Sequence, residues 1–214
     1  MSLLDVQRSL VGFARGSTSE YQGCNNLTQA ENEWLRQLLD SSGLHITQQV
    51  QQWWRISRVC ATAPLTIALL KRNSLDDLII KYIISEPIRT LFFAAELEQF
   101  KTFLHAQPQV DATTKTLIEF ELGIKMATQL AAGDNPAQRE FFSLSLKFER
   151  NPPALFAALL TGAPLPPVEQ DEYQLDINPL LASLWICHHH KTTQCIQQEN
   201  SAHPAVSTLA EIHI

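Results

Sequence analysis

The segment Phe142-Ser-Leu-Ser-Leu-Lys-Phe148 decides the fold class, because apolar and polar residues alternate strictly along it. Alternation with a period of two is typical of a strand that has one buried face. Tyr173-Gln-Leu-Asp-Ile177 alternates in the same way, and residues 183–188 and 193–197 are spaced like the two arms of a hairpin. The sequence therefore predicts three or four antiparallel strands, with a short helix from Pro153 to Thr161 among them.

The residues before this segment follow a helical period instead. Thr28-Gln-Ala-Glu31 is a capping box, in which the threonine hydroxyl and the glutamate carboxylate each satisfy a backbone N–H group of the other residue. Ser74-Leu-Asp-Asp77 predicts the start of a later helix, and Gly133 is a typical helix end. We therefore predict an α+β fold, with a bundle of six to seven helices in residues 1–133 and a small antiparallel-sheet α+β module in residues 134–214.

One predicted helix carries a pair of tryptophans. An apolar stripe on one side of this helix is predicted by the helical spacing of Ile46, Val50, Trp53, Ile56 (or Ser57) and Cys60. Adjacent side chains on a helix project about 100° apart, so Trp53 and Trp54 cannot face the same core. Aromatic residues and arginine are frequent at binding surfaces, although a boundary position in the bundle is the alternative. The predicted partner-binding residues are Trp53, Trp54, Arg55 and Arg89.

Composition limits the classes of partner. The chain has 214 residues, of which 45% are apolar, and a formal net charge of −6. Residues 1–133 carry 12 Lys+Arg and 13 Asp+Glu, whereas residues 134–214 carry 4 and 9, so the acidity belongs to the second part. Nucleic-acid binding needs clustered cations, which this balance disfavours. No apolar run is long enough to span a membrane and no signal-peptide pattern is present, so we expect a cytoplasmic protein without membrane contact.

The sequence contains none of the motifs G-x-S-x-G, P-loop, G-x-G-x-x-G or H-E-x-x-H, so we predict no catalytic residue. Cys187-His-His-His190 with Cys195 is a cluster of thiolate and imidazole groups, which suit zinc or copper. Two ordinary cysteines at a polar strand end are the favoured alternative, so no metal is assigned to this chain. Solvated or salt-bridged helix faces are predicted for Glu86, Glu96, Glu98, Glu119 and Glu121.

The order of several motifs resembles a known family. Trp53-Trp54-Arg55, Leu69-Leu70 and Ser74-Leu-Asp-Asp-Leu-Ile-Ile-Lys-Tyr82 are followed by Glu86-Pro-Ile-Arg89, Glu96-Leu-Glu-Gln-Phe-Lys-Thr-Phe-Leu104 and Ile118-Glu-Phe-Glu121. This order resembles the helical domain of the DUF2063-type proteins, long labelled DNA-binding. Leu175-Asp-Ile-Asn-Pro179 and Leu184-Trp-Ile186 are similar to a strand pair of their C-terminal module. The resemblance covers about residues 48–187, and the tryptophans and Ile56 replace the family's usual tyrosine and asparagine around the arginine.

Within that family, Arg55, Ala63-Pro64 and Glu86-Pro-Ile-Arg89 are most similar to the members found in methanobactin biosynthesis cassettes. The resemblance implies a heterodimer with a TIM-barrel, multinuclear non-haem iron enzyme, in which this chain is the non-catalytic subunit that recognises the leader of a ribosomally made precursor peptide. It implies that the pair uses iron and dioxygen to convert cysteines into oxazolone and thioamide groups of a copper-chelating peptide, with the iron in the partner. A DNA-binding regulator, or a metal-binding enzyme that uses the Cys187–Cys195 region, is the alternative.

A free strand edge offers a way to bind such a leader, because main-chain hydrogen bonds give affinity and side-chain pockets give specificity. We predict edges at residues 142–148 and 173–177, and the acidity of the second part favours a basic leader. The predicted peptide-binding residues are Phe142, Leu144, Leu146, Phe148, Tyr173, Leu175, Ile177, Asp171, Glu172 and Asp176.

Overall fold

The fold is α+β, as predicted, with a helical N-terminal part followed by a small antiparallel sheet. The computed structural model describes residues 3–14, 27–86, 93–133, 136–169 and 172–190. The helices of these residues are α1 (Leu3–Ala14), α2 (Gln29–Leu39), α3 (Ser42–Thr62), α4 (Pro64–Arg72), α5 (Asp77–Ser85), α6 (Phe93–His105), α7 (Ala112–Ala132), α8 (Pro136–Phe141) and α9 (Pro152–Thr161). The strands are β1 (Leu144–Phe148), β2 (Glu172–Ile177) and β3 (Trp185–His190).

Local sequence determines several helix ends. The capping box is confirmed at α2, because the Glu31 backbone N–H donates to Thr28 Oγ1 at 3.3 Å and the Thr28 N–H donates to Glu31 Oε2 at 2.8 Å. Asn151 caps α9 through its side chain, and Gly162 ends that helix with a φ of 77°, which a glycine adopts without strain. The short helix predicted from Pro153 to Thr161 is therefore confirmed to within one residue.

The first hydrophobic core lies among the helices from α3 to α7. Tyr82 of α5 is fully buried, with its ring 5.0 Å from Phe100 and 5.4 Å from Phe103, both on α6. Val59 of α3 and Ile118 of α7 complete the centre of this cluster. These contacts hold α3 against the rest of the bundle along one face only.

The apolar stripe of α3 is only partly buried. Ile46, Val50 and Trp53 are 59%, 47% and 71% exposed, whereas Ile56 and Cys60 pack partly against the first core. The buried face carries Leu44 and Val59 together with two arginines. Periodicity alone did not identify this face, because it includes Arg55 and Arg58, whose guanidinium groups lie beside the buried Glu96 carboxylate.

The second hydrophobic core joins α7, α4 and α9 to one face of the sheet. Gly123 of α7 makes this approach possible, since a Cβ atom there would lie 2.7 Å from Leu144 Cδ2 and 2.8 Å from Ile177 Cδ1. Phe120 of α7 stacks on Phe156 of α9 with a ring separation of 4.6 Å. This core includes residues from both sides of position 133, and the division into two domains stays a prediction.

The strand order in the sheet is β1-β2-β3, with both pairings antiparallel. Leu175 of β2 lies opposite Leu146 of β1 and opposite Cys187 of β3. The prediction that residues 173–177 form a sheet edge is therefore wrong, because a neighbouring strand pairs with β2 on each side. The predicted arm at 193–197 lies outside the described residues.

Candidate functional site

One edge of β3 faces away from β2, as the direction of its peptide groups shows. The Asn178 N–H donates to the Leu184 carbonyl at 2.9 Å, so that carbonyl points toward the side of β2. The N–H and C=O groups of one peptide unit point in opposite directions, and successive units along a strand alternate. The N–H groups of Trp185, Cys187 and His189 therefore point away from β2. No segment of the described part of the chain pairs with this side of β3.

The outer edge of β1 is partly covered. By the same alternation, the backbone groups of Glu149 point away from β2 just beyond the end of β1. The Glu149 carbonyl accepts a hydrogen bond from the Glu169 N–H at 2.9 Å, and Arg150 donates to the Pro166 carbonyl nearby. The loop before β2 thus occupies one end of this edge, which leaves β3 as the more open edge among the described residues.

Most side chains predicted to bind a peptide face the second core instead. Leu146, Phe148, Tyr173, Leu175 and Ile177 are buried, and they pack in the second core. Phe142 and Leu144 are partly buried against the same core. These seven residues position the sheet, and a peptide reaches only its backbone edges and its open face.

A groove of about 590 Å³ begins where β3 begins. Its walls come from the end of α3, the start of α4, α7, α9 and the turn before β3. Its lining residues are Ala61, Thr62, Pro64, Leu65, Phe120, Glu121, Ile124, Lys125, Thr128, Phe156, Leu160, Ala182, Ser183, Leu184 and Trp185. Most of these side chains are apolar, as in a pocket that takes an apolar group. No local pattern in the sequence indicates this groove, because its walls are contributed by five separate segments.

Glu121 is the buried carboxylate in this groove. Glu121 Oε1 accepts from the Leu65 N–H at 2.6 Å, while Oε2 accepts from the Thr66 N–H at 3.1 Å and from the Thr66 hydroxyl at 2.6 Å. These N–H groups belong to the first turn of α4, where Ala63 at the N-cap position offers no capping side chain. Burial raises the pKa of Glu121 to about 7. The predicted solvated position for Glu121 was wrong, and its contacts are those of a helix cap.

The open face of the sheet carries the acidic residues predicted to attract a leader. Glu172 Oε2 lies 2.8 Å from Lys147 Nζ, and Asp176 Oδ2 lies 3.5 Å from His188 Nε2. Lys147, Glu172 and His188 are exposed to solvent, so a binding partner can compete for these pairs. Asp171 lies outside the described residues.

Arg55 is a structural residue of the bundle. Its side chain is 2% exposed, its Nε donates to Glu96 Oε1 at 2.9 Å, and its Nη1 donates to the Ile83 carbonyl at 3.0 Å. The Tyr82 hydroxyl donates to the same Glu96 oxygen at 2.8 Å, and burial beside this carboxylate raises the pKa of Tyr82. Arg55, which was predicted to contact a partner, is therefore buried inside the bundle. Glu96 is salt-bridged, which is one of the two surroundings predicted for it, but the pair lies inside the bundle and not on a helix face. Arg58, the other arginine of α3, is buried as well.

Trp53 and Trp54 remain accessible to a partner, since they are 71% and 63% exposed. Their role in docking stays a prediction. Arg89, the last predicted partner-binding residue, lies outside the described residues.

The residues of the cysteine–histidine cluster at 187–195 that the structure describes lie in different surroundings. Cys187 packs partly into the second core, and burial, together with the charge of Asp176, raises the pKa of its thiol. His189 stacks on Tyr173 with a ring separation of 4.5 Å. No group of three or more His, Cys, Asp or Glu residues within the described ranges is placed to hold a metal ion, and Cys195 lies outside those ranges. A helix long and apolar enough to span a membrane is also not found there.

Comparison of the chain with models of protein families, with curated proteins and with solved structures gave no match.

Proposed function

We propose that this chain is a cytoplasmic, non-catalytic subunit that binds the leader of a ribosomally made precursor peptide and presents the peptide to an iron-dependent oxidative enzyme. In this proposal the partner is a TIM-barrel protein with a multinuclear iron site, and the two chains form a heterodimer. The oxidation of precursor cysteines to oxazolone and thioamide groups takes place at the iron of the partner. The role of this chain is that of the C protein of a methanobactin cassette.

The observation that carries the proposal is an edge of β3 with which no described segment pairs, beside an apolar groove. The outward N–H groups of Trp185 and Cys187 offer two positions for main-chain hydrogen bonds to an added strand. Trp185 also lines the groove, so a segment paired with the start of β3 brings an apolar side chain to that cavity. An edge with a side-chain pocket is the arrangement that strand-addition domains use.

The open face of the sheet supports a basic leader. Glu172 and Asp176 lie on β2, which β3 would separate from an added strand, and the chain after residue 133 has an excess of acidic residues. Charges of this kind mainly raise the association rate. The exposed tryptophans of α3 and the resemblance to the DUF2063-type proteins support the separate docking of the oxidative enzyme.

Replacement of Cys187 tests the strand edge directly. Proline removes the outward N–H at position 187 and leaves the hydrogen bonds to β2 in place, whereas alanine removes the same thiol and retains the N–H. We expect Cys187→Pro to weaken binding of a fluorescent leader peptide at least about tenfold relative to Cys187→Ala, since one main-chain hydrogen bond is lost and proline also obstructs the edge. Equal affinities of the two variants would contradict strand addition at β3.

Co-expression with the products of neighbouring genes tests the rest of the proposal. We expect the chain to co-purify with the oxidative enzyme, and oxidation of the precursor to require this chain. A chain that elutes alone in gel filtration, together with precursor oxidation that proceeds equally well without it, would overturn the proposed function. Duplex DNA binding with a steep salt dependence would favour the regulator instead.

A further inference from the structure

One exposed side of α3 has four large apolar side chains and none from Asp, Glu, Lys or Arg. We define the α3 face by six residues: Ile46, Gln49, Val50, Trp53, Trp54 and Ser57, which surround a depression of about 380 Å³. Residues 41–54 contain no Asp, Glu, Lys or Arg. The two arginines of α3 are both buried, so the helix carries its charges inside and its large apolar side chains outside. Such a distribution is typical of a helix that has a further partner.

The spacing of the side chains on the α3 face indicates that the partner is a helix. Residues 46, 49, 50 and 53 stand at positions i, i+3, i+4 and i+7, and residues 50, 53, 54 and 57 repeat this arrangement. Four side chains at this spacing form the hole that receives one side chain of a facing helix in knobs-into-holes packing. Two consecutive holes on α3 therefore fit a helix that lies along it.

The chemistry of the α3 face determines which helix it accepts. A charged side chain buried against these residues would find no opposite charge, so the facing helix must also be uncharged and apolar. The α3 face of a second copy meets both conditions, because a surface without charge is complementary to itself under two-fold symmetry. We propose that the α3 face closes against the α3 face of a second copy, which gives a reversible homodimer.

The exposed area is consistent with a weak dimer. The exposed fractions of Ile46, Val50, Trp53 and Trp54 correspond to roughly 500 Å² of apolar surface in each copy. Two copies bury roughly 1,000 Å² in total, which is the lower limit of a specific interface. The homodimer thus forms at high protein concentration and dissociates on dilution. One consequence rests on the proposed function. If the tryptophans also dock the oxidative enzyme, that enzyme and the second copy compete for the α3 face.

Sedimentation velocity of the full chain, over about a hundredfold range of concentration, tests the homodimer. We expect a monomer–dimer equilibrium that varies little with salt, and tryptophan emission that shifts to shorter wavelength as the dimer forms. Trp53→Gln abolishes the dimer, while Trp34→Gln, which changes an exposed tryptophan of α2 outside the α3 face, leaves it intact. Val50→Lys is a second disruptive variant, and circular dichroism checks that each variant is folded.

Two results would overturn the homodimer. One is a chain that stays monomeric at every concentration, as it would if another part of the chain covered the face. The other is a dimer that uses another surface. Such a dimer would survive both Trp53→Gln and Val50→Lys, or would dissociate on addition of salt. Because the chain is measured alone, either result leaves the proposed docking of the oxidative enzyme and the binding of the leader untouched.

Discussion

Glu121 makes the free energy of unfolding of this protein depend on pH, and the burial of its carboxylate determines the direction. Its pKa rises from 4.5 to about 7 on folding, because burial disfavours the ionised carboxylate more than its three hydrogen bonds favour it. The native state then binds a proton that the unfolded state has already released. The contribution of Glu121 to stability is therefore fully present below pH 4.5 and is lost as the pH rises through about 7.

The size of this effect follows from the same two pKa values. One pKa unit corresponds to about 1.4 kcal/mol, so complete loss of the contribution destabilises the native state by about 3 kcal/mol as an upper value. Glu121→Gln cannot ionise, and its amide still offers one oxygen to the N–H groups of α4. The variant should therefore lack this part of the pH dependence, even if the loss of one acceptor lowers its stability by about 1–3 kcal/mol at every pH.

Urea unfolding of the wild type and of Glu121→Gln, followed by circular dichroism between pH 4.5 and pH 8, measures the difference. Other titrating groups contribute equally to both proteins, so only the difference between the two profiles is used. We expect the free energy of unfolding of the wild type to fall relative to that of the variant as the pH rises. Parallel profiles would refute the reasoning, because they would mean that burial does not change the protonation of Glu121.

Two further predictions concern the buried ion pair and the sheet surface. Arg55→Met should lower the free energy of unfolding by about 3–5 kcal/mol, because the Glu96 carboxylate loses its main cationic partner inside the bundle. Denaturant unfolding measures this change, and a loss below about 1 kcal/mol would contradict the prediction. Charge reversal of Asp171, Glu172 and Asp176 should slow the association of a basic leader peptide at low salt, with little change in its dissociation rate. Stopped-flow fluorescence measures both rates, and an unchanged association rate would contradict this prediction.

Local signals in the sequence were sufficient for the elements that depend on local chemistry. The capping box at Thr28, the helix that ends at Gly162 and the alternating segments of β1 and β2 were all predicted, because each depends on neighbouring residues. The candidate site was predicted less well. The acidic residues were placed on the sheet and Trp53 at the surface, but the apolar residues of β1 and β2 proved to be core.

The errors share a physical cause. Period-two alternation shows which side chains share a face, but it contains no information about which strands are neighbours, so β2 was mistaken for an edge. Hydrophobic periodicity in α3 indicated the apolar stripe but not which side of the helix is buried, since the buried side includes Arg55, whose partner is Glu96. Such a pair joins residues 41 positions apart, which is beyond the reach of a local pattern.

The sequence by itself determined the α+β class, the change from helical to alternating period and the uncharged character of residues 41–54. These are properties of composition and short-range spacing. Only the tertiary structure decided that β3 has an edge with which no described segment pairs, that five segments meet in a groove beside it, and that Glu121 caps α4. Each of these depends on contacts between residues far apart in the chain, whose free energy comes from burial and hydrogen bonding that exist only once the chain has folded.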